Sequence, residues 1–358
     1  MTTQSLQQRT LQMKPPYLLF TGDVDSYQYA KTGLGLVQWC PELVAGQLRF
    51  EGNHLDLGVA DMTVQEAVAA GVKSLVIGVA PIGGAIDSRW LASLEQAAKA
   101  GLDIVCGLHS RLDSFPSLVC AAQSSGAQLI NIRTPPENLP IGSGTKRSGK
   151  RVLMVGTDCA VGKKYTALVL AKSLKKMGIN STFRATGQTG IMIAGTGIPI
   201  DAVVADFIAG ASEQVSPAND ANHWDVIEGQ GSLYHPGYAG VSLGLLHGSQ
   251  PDALVVCHDA MRQVINGCPH VTIPSINECI DFNIRCGQLT NPNVYCAGVS
   301  VNTSGLPANQ RQPYLKKLSE QTGLVCIDSM IDGTDAIAKQ LLATDHSRQS
   351  KEESVGHA

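Results

Sequence analysis

The chain has 358 residues, of which 44% are hydrophobic and only 5% aromatic, and a formal net charge of −3. That length allows two domains, each with a full core, and the balance of charge excludes a basic face built for nucleic acid. No apolar run approaches the roughly 20 residues of a membrane span and the first residues lack a signal pattern, so a cytosolic protein is expected. The ten cysteines are dispersed without a C-x-x-C pair and are expected to be small buried hydrophobes rather than disulfide partners.

In chain order, residues 1 to 14 are polar and Gln-rich and read as a frayed arm. A first block over 15–135 has apolar runs at 17–20, 74–80, 103–108 and 128–132, with helical patterns at 63–70, 88–100 and 115–124. Strand and helix in alternation predict a Rossmann-like α/β domain with a parallel sheet. The pair Gly33 and Gly35 lies too far beyond the first strand, and lacks the third glycine, for a dinucleotide loop. The Pro/Gly/Ser/Lys-rich stretch over 136–150 reads as a linker. A second α/β block over 151–344 has predicted strands at 151–155, 181–185, 225–228, 253–258, 294–300 and 324–328, with helices at 165–177 and 201–214. Residues 345–358 read as a disordered tail. The fold class is therefore α/β, with two doubly wound domains, the second of the P-loop type.

The P-loop reading rests on the strand 151–155 running into Gly156, Thr157, Asp158, Cys159, Ala160, Val161, Gly162, Lys163, Lys164 and Tyr165. Backbone N–H groups of such a loop, and the helix start behind it, form an anion site to which Lys163 adds a charge. A nucleotide hydrolase needs Ser or Thr after that lysine to hold Mg²⁺, and here Lys164 stands there. The loop keeps a phosphate cradle and drops the metal ligand. No metal is expected, since the spacing of His235, His247, His258 and His270 fits no zinc pattern.

Three further segments fall at predicted strand ends of the same sheet. Arg184, Gly187 and Gln188 follow one strand; Glu228, Gln230 and Ser232 follow another, with Tyr234, His235 and Tyr238 just beyond. A carboxylate at a strand end is costly to bury without a partner, so Glu228 is expected either to catalyse or to pair with Lys163 or Lys164. His235 and His258 are acid–base candidates. Asp201 reads as the N-cap of the 201–214 helix. In the first block, Lys31, His109 and Arg133 offer cations for a substrate carboxylate.

The loop at 156–163 resembles that of dethiobiotin synthetase, including an extra residue between the glycines. The longer pattern narrows the resemblance. The runs from Gly156 to Lys164, Arg184 to Ile191, Asp201 to Ala211 and Glu228 to Pro236 together look like the DgcN-type family, long classed as a domain of unknown function. That resemblance implies a Rossmann-like domain followed by a P-loop domain, and N-acetylation of D-glutamate by acetyl-CoA feeding a racemase-type enzyme. Position and chemistry then assign the roles such a reaction needs: the loop residues 156–165 bind the coenzyme, Glu228 or His235 acts as base, and Gln188 or N–H groups near 229–231 stabilise the oxyanion. Arg184, Lys31 and Arg133 are the substrate-binding candidates, and Lys164 is a further carboxylate clamp. A homo-oligomer is expected. Two other readings stay open: an Mg-ATP-dependent ligase or kinase with Thr166 or Asp158 on the metal, and a nucleotide-binding regulator with switch segments in the glycine-rich 187–200 stretch.

Overall fold

Continuous apolar runs such as 75–77 and 253–256 are buried on both faces, which only a sheet covered on both sides provides. The computed structural model describes residues 13–81 and 83–355. The arm expected over 1–14 lies almost wholly outside them. The chain divides into two units: residues up to Pro136 together with Gly187–Ala202, and Glu137–Thr186 together with Val203 onward.

The first unit contains β1 (Tyr17–Gly22), α1 (Lys31–Trp39), β2 (Val44–Arg49), α2 (Val64–Ala69), β3 (Ser74–Ile77), α3 (Leu91–Lys99), β4 (Asp103–Cys106), α4 (Pro116–Ser125) and β5 (Leu129–Asn131). Its five strands are parallel in the order β2-β1-β3-β4-β5, a doubly wound arrangement. Thr63 caps α2 in a reciprocal box with Glu66. Neither β2 nor α1 was legible in the sequence pattern.

The second unit is built on β6 (Lys150–Gly156), α5 (Lys163–Lys176) and β7 (Ser181–Arg184). The short α6 (Gln188–Ala194) then falls in the first unit, where Thr189 Oγ1 lies 3.0 Å from Thr32 Oγ1. The chain continues in the second unit with α7 (Ile208–Val215), β8 (Trp224–Ile227), α8 (Ala239–Ser249), β9 (Ala253–Asp259), and the hairpin β10 (Val264–Ile265) and β11 (Cys268–Thr272). It ends with α9 (Ile276–Gln288), β12 (Tyr295–Asn302), α10 (Ala308–Thr322), β13 (Cys326–Ile327) and α11 (Asp335–Val355). The six-stranded parallel sheet runs β13-β12-β9-β6-β8-β7. Its order reverses at β6, so a ligand crevice is expected outside the carboxyl end of that strand.

Three expectations need correction. The 136–150 stretch is packed rather than a free linker. Arg147 donates to the carbonyls of Ser216, Gly248 and Ser249, Lys146 pairs with Asp252, and Glu213 accepts from the N–H groups of Ser143 and Gly144. The 345–358 tail continues α11 as far as Val355; Asp345 pairs with Lys150, and the preceding turns bury Ile337, Ala338 and Leu341 in the core. The helix expected over 201–214 begins only at Ile208, after two 3₁₀ turns, and Asp201 pairs with Arg133 instead of capping it.

Candidate active site

After β6 the Thr157 N–H donates to Cys257 O at 3.1 Å, which carries the ladder with β9 one residue into the loop. The turn that follows needs two left-handed residues, Ala160 at φ +56° and Gly162 at φ +102°, and Gly162 then opens α5. The loop so formed turns into a helix start whose first N–H groups have no intrahelical acceptor. Lys163 is buried and donates from Nζ to the Asp158 carbonyl at 2.7 Å; burial holds its pKa below the ordinary value.

The Asp158 carboxylate is fully buried and fully used. Oδ1 accepts the Cys159 N–H at 2.6 Å, while Oδ2 accepts Arg262 Nη1 at 2.5 Å and the Asn266 N–H at 2.8 Å. The turn leading into the β10–β11 hairpin is thereby fastened to the P-loop. His235 joins the same fastening. Its Nδ1 accepts the Gly237 N–H at 3.0 Å, so the neutral ring carries its proton on Nε2, which lies 3.2 Å from Asn266 O. Both nitrogens of His235 are engaged, which takes away the lone pair a base requires.

The Glu228 segment is braced from β7. The Thr186 N–H donates to Glu228 Oε2 at 3.0 Å, Thr186 Oγ1 donates to Glu228 O at 2.6 Å, and Gln230 Nε2 donates to Thr186 Oγ1 at 3.1 Å. Ser232 Oγ reaches the Gly156 carbonyl at 2.9 Å. Gly229 is required here by close approach: a Cβ would fall 1.6 Å from the Met154 carbonyl oxygen and 2.9 Å from Lys163 Cδ. The 228–232 turn therefore lies directly on the P-loop strand and on the lysine stem.

Other positions answer the metal question. Thr166 Oγ1 lies 2.8 Å from Ser300 Oγ and 3.2 Å from Ser329 Oγ, a buried hydroxyl cluster that occupies the group a ligase would need for Mg²⁺. Lys164 Nζ sits 4.3 Å over the Tyr165 ring. Asp158, Cys159 and His235 bring ligand-type atoms within 4.8 Å of one another. They do not suit a metal, because Arg262 neutralises the carboxylate, both imidazole nitrogens are bonded, and burial raises the Cys159 thiol to about 11.

The remaining sequence candidates divide. Arg184 leaves the site: its Nε donates to buried Asp225 at 2.7 Å, and Asp225 pairs across from Thr182, so the guanidinium runs back toward the amino end of the sheet. Gln188, Lys31 and Arg133 all belong to the first unit. Arg133 donates to Gly107 O at 2.8 Å and pairs with Asp201, while Lys31 is exposed at the start of α1. The 187–200 stretch carries α6 and the Thr189–Thr32 contact, which removes the argument for a free switch segment. Arg262 and Asn266 were missed. Arg262 lies 104 positions from Asp158 and gave no local signal, but Asn266–Gly267 between apolar residues was a legible hairpin turn.

A doubly wound α/β unit and a P-loop unit define a protein of the two-domain Rossmann/P-loop class. Two family profiles cover most of the chain: a domain of unknown function described as the DUF1611_N Rossmann-like domain over residues 49–135, and the DUF1611_C P-loop domain over 140–338. The chain belongs to the DUF1611 family. A curated relative from Pseudoalteromonas sp., named D-glutamate N-acetyltransferase, is 47% identical over 331 residues, covering 92% of this chain and all of that protein. A second from Tritonibacter scottomollicae, with the same name, is 45% identical over 92% of this chain and 99% of its own length. The crystal structure of a DUF1611 family protein from Anabaena variabilis superposes with a TM-score of 0.83 at 32% identity, over 92% of this chain and all of that one.

Proposed function

We propose that this protein transfers the acetyl group of acetyl-CoA to the amino group of D-glutamate, with the 156–165 loop as the coenzyme cradle. The names of the two relatives, at 45–47% identity, support the reaction. The structural observation that carries the cradle is a P-loop with its lysine in place and no Ser or Thr after it. Lys164 replaces the Mg²⁺ ligand, and the Thr166 hydroxyl is bonded to Ser300 and Ser329. Coenzyme A presents a pyrophosphate and a 3′-phosphate that are bound but never transferred, so their recognition needs donors and cations rather than a metal.

In this reading the loop N–H groups and Lys163 hold coenzyme phosphate. The 229–231 N–H groups stabilise the oxyanion that forms as the amine attacks the thioester carbon, each such donor being worth about 10²–10³ in rate. Lys164, on the first turn of α5, binds a glutamate carboxylate. Lys31 and Arg133 are further carboxylate candidates carried by the first unit, and Gln188 is left out of the assignment. The product, an N-acetyl-D-amino acid, suits a racemase-type consumer. A cytosolic homo-oligomer completes the proposal, and among the described residues no helix is long and apolar enough to cross a membrane.

The test is to mix the purified protein with acetyl-CoA and D-glutamate in chelator and follow free thiol. Thiol release that needs D-glutamate and not L-glutamate supports the reading. No release with any acceptor, with ATP turnover once Mg²⁺ is restored, refutes it in favour of a ligase.

A further inference from the structure

Acetyl transfer to an amino acid requires a base, because the amine is an ammonium ion near neutral pH and sheds a second proton once the C–N bond forms. The two groups that the sequence offers first are both engaged. Glu228 braces Thr186, and His235 has a partner on each nitrogen. A third group at the same sheet end is differently placed. His258 is the sixth residue of β9, the strand paired with β6, and follows Cys257, the partner of Gly156 in the ladder. It therefore stands at the carboxyl end of the sheet beside the P-loop, where the strand order reverses.

The surroundings of His258 orient it without using it up. The ring is 6% exposed, and Nδ1 lies 3.0 Å from the hydroxyl of Thr157, itself a P-loop residue. Among the described residues Nε2 has no hydrogen-bond partner. The Thr157 hydroxyl can accept as well as donate, so the base role takes the tautomer with its proton on Nδ1, donated to Thr157 Oγ1, which leaves the Nε2 lone pair free. Burial, with Arg262 adding in the same direction against Asp259, holds the ring below its ordinary pKa and thus in the neutral form. The loop proposed to hold the coenzyme thus orients one buried ring.

We infer that His258 is the general base of the reaction, accepting at Nε2 the proton of the attacking amine, with Thr157 as its positioning residue. This rests on the acetyltransferase reading above. The bound ammonium first gives one proton to solvent; attack of the neutral amine forms the C–N bond and the tetrahedral oxyanion, the nitrogen's second proton passes to Nε2, and collapse of the oxyanion breaks the C–S bond as Nε2 hands that proton to the departing coenzyme thiolate, which regenerates the neutral ring. Nothing is oxidised or reduced.

The experiment compares wild type with His258→Asn, whose amide can still donate to Thr157, and with His258→Ala with and without added imidazole. Thiol release and acetyl-CoA affinity are measured on each. The expected result is a kcat lower by about 10²–10⁴ in both variants, acetyl-CoA affinity within about twofold of wild type, and partial rescue of the alanine variant by imidazole. Retention of kcat within about threefold in either variant overturns the assignment. So does a loss of kcat matched by loss of acetyl-CoA binding, which would make His258 a brace of the P-loop. Failure of the underlying reading is seen separately, in wild type, as no thiol release with any amino acid.

Discussion

Replacing Lys163 with Met separates what this side chain does for the ligand from what it does for the fold. Lys163 is 6% exposed, and its stem lies where a Cβ on Gly229 would come within 2.9 Å of Cδ. Methionine preserves that apolar packing. What is lost is the ammonium, which in this structure makes a 2.7 Å bond to the Asp158 carbonyl and which the proposed function assigns to a coenzyme phosphate. A hydrogen bond to a charged group contributes about 1.5–3 kcal/mol, so coenzyme A should bind roughly 10- to 150-fold more weakly. Stability should respond little, because the loss of that bond is offset by relief of a buried charge. A net change within about 1 kcal/mol corresponds to a Tm shift of at most roughly 4 °C. The pH dependence has a definite sign. Burial lowers the Lys163 pKa from its ordinary 10.5, so the unfolded chain holds the proton more tightly. Wild-type stability should therefore gain from this group as pH rises from the lowered value toward 10.5, and Lys163→Met should lose that gain. Titration calorimetry with coenzyme A and thermal melts at two pH values read both effects. Coenzyme affinity unchanged in the variant would refute the phosphate role of the loop.

Three further outcomes follow from the same geometry. Glu228→Gln keeps an acceptor for the Thr186 N–H and should cost about 1 kcal/mol of stability, with turnover within about tenfold; a fall of a hundredfold or more at unchanged coenzyme affinity would return the base role to Glu228. Cys159→Ala should keep turnover within about threefold, and intact mass after acetyl-CoA alone should show no acetyl adduct. Burial pushes the Cys159 thiol up to about 11, so it stays protonated and unreactive; an acetylated Cys159 would replace direct transfer with a covalent route. Asp225→Asn removes the buried partner of Arg184 and should cost about 3–5 kcal/mol, read as a fall in Tm of at least roughly 6 °C without change in coenzyme affinity. A stable variant with weakened substrate binding would instead return Arg184 to the site.

What the sequence revealed is what local chemistry determines. An apolar strand, a glycine turn and a lysine opening a helix are contiguous, so the P-loop was legible to the residue. Strands buried on both faces stood out as apolar runs for the same reason. Helix α1 was hidden because Gly33 and Gly35 are poor helix formers, and its existence depends on packing within the first unit. The 136–150 stretch has the composition of a linker, yet Arg147 finds the carbonyls of Ser216, Gly248 and Ser249, none of which a sequence pattern announces. Side-chain direction was equally hidden. Arg184 sits at a strand end and reads as a ligand until Asp225 is seen to draw it back along the strand. His235 is engaged on both nitrogens, by Gly237 and by Asn266, and His258 on one, by Thr157; the partners 31 and 101 positions away give no local signal.

The replacement of a metal ligand by Lys164 gains its meaning from the other charges around the loop. In nucleotide hydrolysis the metal neutralises charge that develops on a phosphoryl group in flight. Here the loop carries its own anion, Asp158, and the hairpin supplies Arg262 to neutralise it at 2.5 Å. Lys163 and Lys164 stand at the helix start as basic side chains that no chelator can strip. Fixed cations suit an anion that is held through the reaction and released intact. They suit a transferred phosphoryl group poorly, since one lysine is buried against Gly229 and the other is stacked on Tyr165 rather than poised to follow moving charge. On the proposed function the chemistry then falls to the adjoining strand ends, where Gly229 lies against the Met154 carbonyl and His258 is held by Thr157.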